Sequence, residues 1–157
     1  MKLRDDIQAK VNLTASAHGL DKNLLTAIIQ TESAGNPWAV RYEPNWKYFF
    51  KPEVAYLKAK TSLDTERTLQ ACSWGLVQIM GSVARELGYT EELPKLCQED
   101  VNILYGAKKL ASLSKKHQGN DLIASYNAGQ PRIMSNGKYF NQAYVDKVNA
   151  FLKILKG

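Results

Sequence analysis

The chain has 157 residues, of which 45% are hydrophobic, enough to bury the core of one ordinary domain, and this excludes a disordered polypeptide. No apolar run approaches the ~20 residues that span a bilayer, and the first ten residues lack the apolar stretch of a secretory signal, so we expect a protein made in the cytosol without stable membrane insertion. The net charge of +6 indicates attraction to polyanions, whether nucleic acid, anionic lipid or a carboxylate-bearing bacterial cell wall, and does not choose among them.

The spacing of apolar side chains follows the 3.6-residue period of an α-helix through most of the chain. Asp21 is a good N-cap for the second helix, and Gly19 and Gly35 are suitable end points for the first and second. The spacing predicts helices over residues 3–17, 22–35, 64–71, 82–87, 99–117, 121–126 and 141–155. Residues 99–117 are expected to form a long central helix.

One segment departs from the helical pattern. Residues 41–62 are rich in aromatic side chains, and Pro44 and Pro52 argue against a single long helix there. No β pattern is longer than a hairpin, and a small hairpin is expected within residues 38–50. We therefore predict an all-α single domain over residues 1–157, with an aromatic-rich insertion at about 41–62.

Solubility is the alternative explanation of the positive charge. The excess lysines fall on predicted helix surfaces, among them Lys108, Lys109, Lys115 and Lys116. No basic stripe resembles a nucleic-acid recognition helix, so a nucleic-acid partner is not expected.

No cofactor or metal site is expected. Cys72 and Cys97 have neither CxxC nor zinc-finger spacing and are too few for a disulfide scaffold, so they are expected as reduced thiols. One bridge between them is the alternative if the protein works outside the cytosol. His18 and His117 lie at predicted helix ends, far in sequence from the other candidate residues.

Glu32 is the candidate functional acid. It lies four residues after Ile28 and seven after Leu25, so the helical period places its carboxyl group on the face that buries them. Desolvation there raises the pKa of a carboxyl group towards neutrality, as a general acid requires. The alternative is a solvated residue at the helix end, because Gly35 follows only three positions later.

Short motifs follow in a fixed order along the chain. They are Glu32–Ser33, GLVQI at 75–79, NILYG at 102–106, ASYNAG at 124–129 and YV at 144–145. The ordered set resembles the lytic transglycosylases of the soluble, goose-lysozyme-like group and spans residues 20–150. The resemblance implies a lysozyme-like, α-rich fold and cleavage of peptidoglycan glycan strands between N-acetylmuramic acid and N-acetylglucosamine.

The resemblance also implies the residues of the site. Glu32 is implied as the catalytic acid and then base, and Tyr144 is implied to approach it. Substrate binding is implied for Ser33, Gly75, Leu76, Val77, Gln78, Tyr126, Asn127 and Tyr144. The family more often has Met at the position of Val77, which leaves the shape of that subsite open. The alternatives are Gln78 as a surface amide and Tyr126 or Tyr144 as core aromatics.

The number of available acids separates two mechanisms. Ordinary glycosidases use two carboxyl groups, but only Glu32 has a motif around it. One acid suffices if the C6 hydroxyl of the muramic residue attacks the anomeric carbon, which gives an anhydromuramic end without water. The 43-residue gap from Glu32 to Gly75 is longer than usual for the family and contains Glu43 and Glu53. Glu43, the nearer of the two, is the candidate base in the alternative mechanism, that of a water-using muramidase.

A non-catalytic module is the remaining function class. A compact, basic helical domain could bind nucleic acid or form a wall-binding piece of a phage particle. The intact motifs favour the enzyme, and the missing signal peptide is typical of a phage endolysin, with a virion or secretion-system component as the alternative. We expect a monomer whose partner is bacterial peptidoglycan and which acts on the wall in the periplasm or outside the cell.

Overall fold

A computed structural model describes residues 2–157. Within them the chain forms eight α-helices, one 3-10 helix and three short strands. The α-helices are α1 (Asp5–Ala17), α2 (Lys22–Ser33), α3 (Pro52–Lys58), α4 (Leu63–Gln70), α5 (Gly81–Glu86), α6 (Glu99–Ser114), α7 (Gly119–Ala128) and α8 (Gln142–Lys156). The strands are β1 (Val40–Tyr42), β2 (Cys72–Trp74) and β3 (Ile79–Met80), and the 3-10 helix is Leu93–Cys97. The predicted all-α, lysozyme-like class with a small β-element is confirmed.

Local signals place the ends of α2 correctly. The Asp21 side chain accepts a hydrogen bond from the backbone N–H of Asn23 (2.8 Å), as expected of an N-cap. The helix ends at Ser33, because Ala34 and Gly35 take left-handed conformations with φ of 51° and 81°. All the other predicted helices are also present, and α7 is longer than predicted at both ends.

The prediction that residues 41–62 are irregular is wrong for one part of the segment. Pro52 begins α3, and a proline is tolerated at this position because the first N–H groups of a helix have no helical partner. The helix runs to Lys58. Between Tyr42 and Pro52 the chain is irregular and has neither helix nor strand, so the second strand of a hairpin within residues 38–50 is not found there.

The small sheet differs from the prediction in its pairing. β1 lies within the predicted 38–50 range, but its antiparallel partner is β2, with Val40 opposite Trp74. β2 and β3 form the tight hairpin, and the residues that join them, 75–78, are the first four of the GLVQI motif. β2 has three residues and β3 has two, too few for an alternating pattern to reveal them in the sequence.

α6 connects the main parts of the core. It packs against α1, α7, the 3-10 helix and β3. Its buried residues are Asn102, Ile103, Gly106, Ala107 and Leu110. Gly106 lies against Val77, because a Cβ atom at position 106 would come within 2.7 Å of the valine side chain. The missing side chain therefore lets the hairpin turn pack directly on α6.

Cys72 and Cys97 are buried free thiols, so the predicted reduced state is found and the bridged alternative is not. Burial raises the pKa of both thiols above the ordinary value. Across residues 2–157, none of the helices has the length and apolar character that a bilayer crossing requires.

Candidate active site

One cleft of about 830 Å³ brings together residues from distant parts of the chain. Its volume lies within the roughly 300–1,000 Å³ of small-ligand sites. The helical side of the cleft consists of Glu32, Lys109, Tyr126, Asn127, Ala128, Gly129 and Gln130. The aromatic side consists of Arg41, Glu43, Pro44, Asn45, Trp46 and Tyr48, and the lining is completed by Ser73, Gln78, Met80 and Val83. The predicted acid and the candidate second carboxyl group therefore share one cleft.

Glu32 occupies the last turn of α2, and it is half-buried. The phenol of Tyr144, on α8, donates a hydrogen bond to its Oε1 atom (2.8 Å). Burial raises the pKa of Glu32 above its ordinary value, while this hydrogen bond and the charges of Lys109, Lys147 and Arg41 act in the opposite direction. Burial also raises the pKa of Tyr144, so its phenol remains a donor. Glu32 can therefore hold a proton at a higher pH than a solvated glutamate.

Lys109 lies in the cleft, so the prediction that it occupies a solvated helix surface is wrong. Its Nζ atom donates to the backbone carbonyl of Tyr126 (2.6 Å) and lies 4.1 Å from the centre of the Tyr126 ring. That carbonyl is in the last turn of α7, where carbonyl groups lack helical N–H partners and favour a cation. Burial lowers the pKa of Lys109 to about 8, and the charge of Glu32 opposes that shift.

The sequence contains a signal for Lys109 that a search for apolar stripes misses. Asn102, Gly106 and Lys109 follow one another at spacings of four and three residues, which places them on one face of α6. Lys108 points elsewhere, since its ammonium group lies 4.6 Å from the centre of the Tyr105 ring and does not line the cleft. Asn102 and Gly106 are small or polar residues at buried positions of α6. A lysine on the same helix face therefore indicates that its ammonium group points into the protein.

Most residues of the GLVQI motif make contacts within the protein that stabilise the hairpin turn. Gly75 has a φ of 70°, and the Asn102 side chain fills the space where a side chain at position 75 would lie. Asn102 donates to the carbonyls of Trp74 and Leu96 (both 2.8 Å). It also accepts a hydrogen bond from the Val77 N–H (2.9 Å). Gly75 therefore admits a buried asparagine that ties the turn to α6.

The side chains of Ser33, Leu76 and Val77 face the protein and do not line the cleft. Leu76 and Val77 are completely buried in the core. The Ser33 hydroxyl donates to the Leu76 carbonyl (2.8 Å) and accepts from the Gly35 N–H (3.2 Å). Ser33 thus fastens the end of α2 to the hairpin turn, and this places Glu32 relative to the sheet.

Gln78 lines the cleft, yet its amide is bound within the protein. Its Nε2 atom donates to the carbonyls of Ala39 (3.0 Å) and Gly75 (2.9 Å), and its Oε1 accepts from the Ser73 hydroxyl (2.9 Å). The φ of Gln78 is 49°, a left-handed conformation that is uncommon for a residue with a side chain. Because both amide protons are used, Gln78 can offer a ligand only its remaining acceptor capacity.

Tyr126 and Asn127 bring the ASYNAG motif to the helical side of the cleft. Tyr126 is buried and donates from its hydroxyl to the Val77 carbonyl (3.1 Å). Burial raises its pKa well above the ordinary value, so this phenol is also a donor. Asn127 is exposed, and its Oδ1 accepts a hydrogen bond from the side chain of Asn141 (2.9 Å).

Glu43 lies on the aromatic side of the cleft. Its Oε1 atom is 3.0 Å from Nε of Arg41, and the Glu43 side chain is 37% exposed. A guanidinium partner thus distinguishes Glu43 from Glu32, whose carboxyl group is held by a phenol. Within residues 2–157 no three His, Cys, Asp or Glu side chains come together in a way that could hold a metal ion.

Comparison with known proteins supports the family resemblance that the motifs indicate. The family model described as Transglycosylase SLT domain matches residues 10–149, which is most of the chain and includes Glu32 and every motif through Tyr144. No curated protein matches the chain. Because the family match extends over so much of its length, the chain belongs to the transglycosylase SLT domain family and is a lytic transglycosylase of peptidoglycan.

Proposed function

We propose that Glu32 is the single catalytic acid of this lytic transglycosylase, and that the bond it cleaves joins N-acetylmuramic acid to N-acetylglucosamine. The observation that carries the proposal is the environment of the Glu32 carboxyl group, which lies in the cleft and accepts a 2.8 Å hydrogen bond from Tyr144. Burial raises the pKa of Glu32, and this favours the protonated form that the first step requires.

The reaction consists of two proton transfers through this side chain. Glu32 gives its proton to the glycosidic oxygen as the bond to the muramic anomeric carbon breaks, and the N-acetylglucosamine end leaves with a new hydroxyl group. The carboxylate of Glu32 then takes the proton of the muramic C6 hydroxyl, whose oxygen bonds to the anomeric carbon. The strand ends in 1,6-anhydromuramic acid, no water is consumed, and Glu32 is protonated again.

The surroundings of Glu32 support both of its protonation states. Desolvation favours the protonated acid, whereas the hydrogen bond from Tyr144 and the positive charge of Lys109 favour the carboxylate. A side chain that first gives and then accepts a proton works best when neither form is strongly preferred. This balance supports one residue in both roles.

A water-using muramidase is the second candidate function, and one observation favours it. Glu43 shares the cleft with Glu32, and two carboxyl groups in one cleft are what a hydrolytic glycosidase uses. The 3.0 Å contact of Glu43 with Arg41 argues against this role, because the guanidinium already occupies a carboxylate oxygen that a base would use to accept the proton of water.

Glu32→Gln tests the proposal. The amide keeps the size of the side chain but cannot act as an acid, so release of glycan fragments from purified peptidoglycan should fall by about 10²-fold or more. Glu53→Gln is the matched control, because Glu53 is exposed in the first turn of α3 and does not line the cleft. It should retain the wild-type rate. A folded Glu32→Gln variant, judged by its helical circular dichroism, that stays within roughly tenfold of the wild-type rate would contradict the role of Glu32.

A further inference from the structure

The aromatic side of the cleft carries two rings that the proposed chemistry does not use. Trp46 and Tyr48 lie in the segment between β1 and α3, and both line the cleft that contains Glu32. Their rings meet edge to face, with centroids 5.3 Å apart and an interplanar angle of 75°. Tyr48 is 66% exposed, so the protein leaves most of this side chain open to the cleft and to solvent.

The tryptophan is fixed in place by hydrogen bonds. Its indole N–H donates to the hydroxyl of Ser82 (3.0 Å), a buried residue in the first turn of α5. Its backbone N–H donates to the carbonyl of Glu43 (3.1 Å), which closes a turn in the segment. The Trp46 ring is therefore oriented before any ligand binds. The edge-to-face contact with Trp46 also orients the Tyr48 ring.

A buried polar cluster holds the other end of the segment. The Gln70 amide donates to the carbonyl of Phe50 (3.1 Å) and accepts from the Phe50 N–H (2.8 Å). Gln70 also donates to Glu66 (2.9 Å), which forms a buried ion pair with Arg85 (2.8 Å). These buried groups are hydrogen-bonded to one another. A buried polar network whose members are paired in this way is rigid. The segment that carries both rings is thus tied to α4 and α5.

We infer that Trp46 and Tyr48 form an aromatic platform that stacks on a sugar of the glycan strand other than the two joined by the bond being cut. This rests on the glycan substrate proposed for the same cleft. A pyranose ring presents an apolar face of C–H groups, and a rigid aromatic side chain covers such a face at a small cost in conformational entropy. The acid is held by Tyr144 of α8 and the platform by Ser82 of α5, so a strand bound at both contacts two separately fixed parts of the cleft.

Tyr48→Ala tests the platform through binding, without turnover. The probes are uncharged N-acetylglucosamine oligomers up to the hexasaccharide, and the background is Glu32→Gln, so that cleavage does not disturb the equilibrium. The substitution should weaken hexasaccharide binding by about three- to tenfold, the value of one aromatic contact, while Tyr48→Phe should bind as before because it keeps the ring.

Tyr42→Ala is the matched control. Tyr42 is a 54% exposed tyrosine in β1 and does not line the cleft, although its strand neighbour Arg41 does. Alternation along a strand turns the two side chains to opposite faces. Unchanged binding in Tyr48→Ala, or an equal loss in Tyr42→Ala, would overturn the platform. Because binding is measured without cleavage, this result can contradict the aromatic platform without contradicting the proposed mechanism. Conversely, an absence of anhydro products would contradict the mechanism but not the binding result.

Discussion

The two sides of the cleft differ in how their functional groups are partnered. On the helical side, Glu32 is bound by Tyr144 and Lys109 by the Tyr126 carbonyl, and burial shifts the pKa of both the acid and the amine. On the aromatic side, Tyr48 is 66% exposed, and its ring contacts Trp46 and the ammonium group of Lys47, which lies 5.7 Å from the ring centre. Proton transfer needs desolvated groups with tuned pKa values, whereas recognition of a long polymer needs accessible surface.

The hairpin turn that completes the lining belongs to neither side. Gly75, Leu76 and Val77 were expected at the substrate by resemblance, but the hydrogen bonds of this turn run to α6, to Ser33 and to the Tyr126 hydroxyl. The turn therefore acts on the chemistry through position, because it fixes the end of α2 that carries Glu32. Substitutions in the turn should accordingly change stability first.

The largest effect on stability is expected for Gly75→Ala. The new methyl group meets the Asn102 side chain, and the residue keeps a φ of 70°. We expect the free energy of unfolding in urea to fall by about 3 kcal/mol, since left-handed strain and overpacking each cost about 1–3 kcal/mol. Gly88→Ala separates the two causes, because its φ of 98° is also left-handed but its Cβ would meet no atom within 4 Å. Equal losses in the two variants would show that Asn102 is not the reason.

A change of pH dependence is expected for Lys109→Met. In the proposed mechanism activity requires protonated Glu32, so it should be lost as pH rises through the pKa of that residue. The charge of Lys109 lowers this pKa, and its removal should therefore move the alkaline limb of kcat/KM to higher pH. The difference should fade above about pH 8, where Lys109 itself loses its proton.

Lys108→Met is the control for Lys109→Met. It removes the same charge from the neighbouring position, but its ammonium group lies against Tyr105 outside the cleft lining. Its pH profile should match that of the wild type. Equal shifts in the two variants would assign the effect to net charge. No shift in either variant would show that the charge of Lys109 does not affect the protonation of Glu32.

The smallest effect is expected for Glu43→Gln. An exposed ion pair contributes only about 0–1 kcal/mol to stability, so breaking the contact with Arg41 should leave the protein folded, and we expect a cleavage rate within about threefold of the wild type. The side chain has no proton to move in the intramolecular route. A loss comparable to that of Glu32→Gln would identify Glu43 as a catalytic base.

The sequence predicts those parts of the molecule whose structure depends on residues that are close to one another along the chain. The Asp21 cap and the apolar period that places Glu32 are both local signals, and α2 has the expected start and orientation. The strands β2 and β3 depend on pairing with each other and with β1, and they are too short to carry a pattern of their own. Tertiary contact decides such elements.

Side-chain direction limits the prediction of the site in the same way. The motifs identify Gln78 and Ser33 as polar residues near the cleft, but a polar side chain can serve the backbone or a ligand, and the sequence does not distinguish the two. Lys109 is the opposite case, because its charge predicts solvent while the register of α6 directs it inward. Its partner, the Tyr126 carbonyl, lies 17 residues further along the chain.

The most direct test of the central claim is the mass of the products. If one carboxyl group serves as acid and then base, purified peptidoglycan digested to completion should yield muropeptides that are lighter than hydrolysis products by one water. They should also resist borohydride, because the anhydro ring locks the anomeric carbon. Muropeptides of full mass that borohydride reduces would contradict the claim and would require a water molecule and a second base in the cleft.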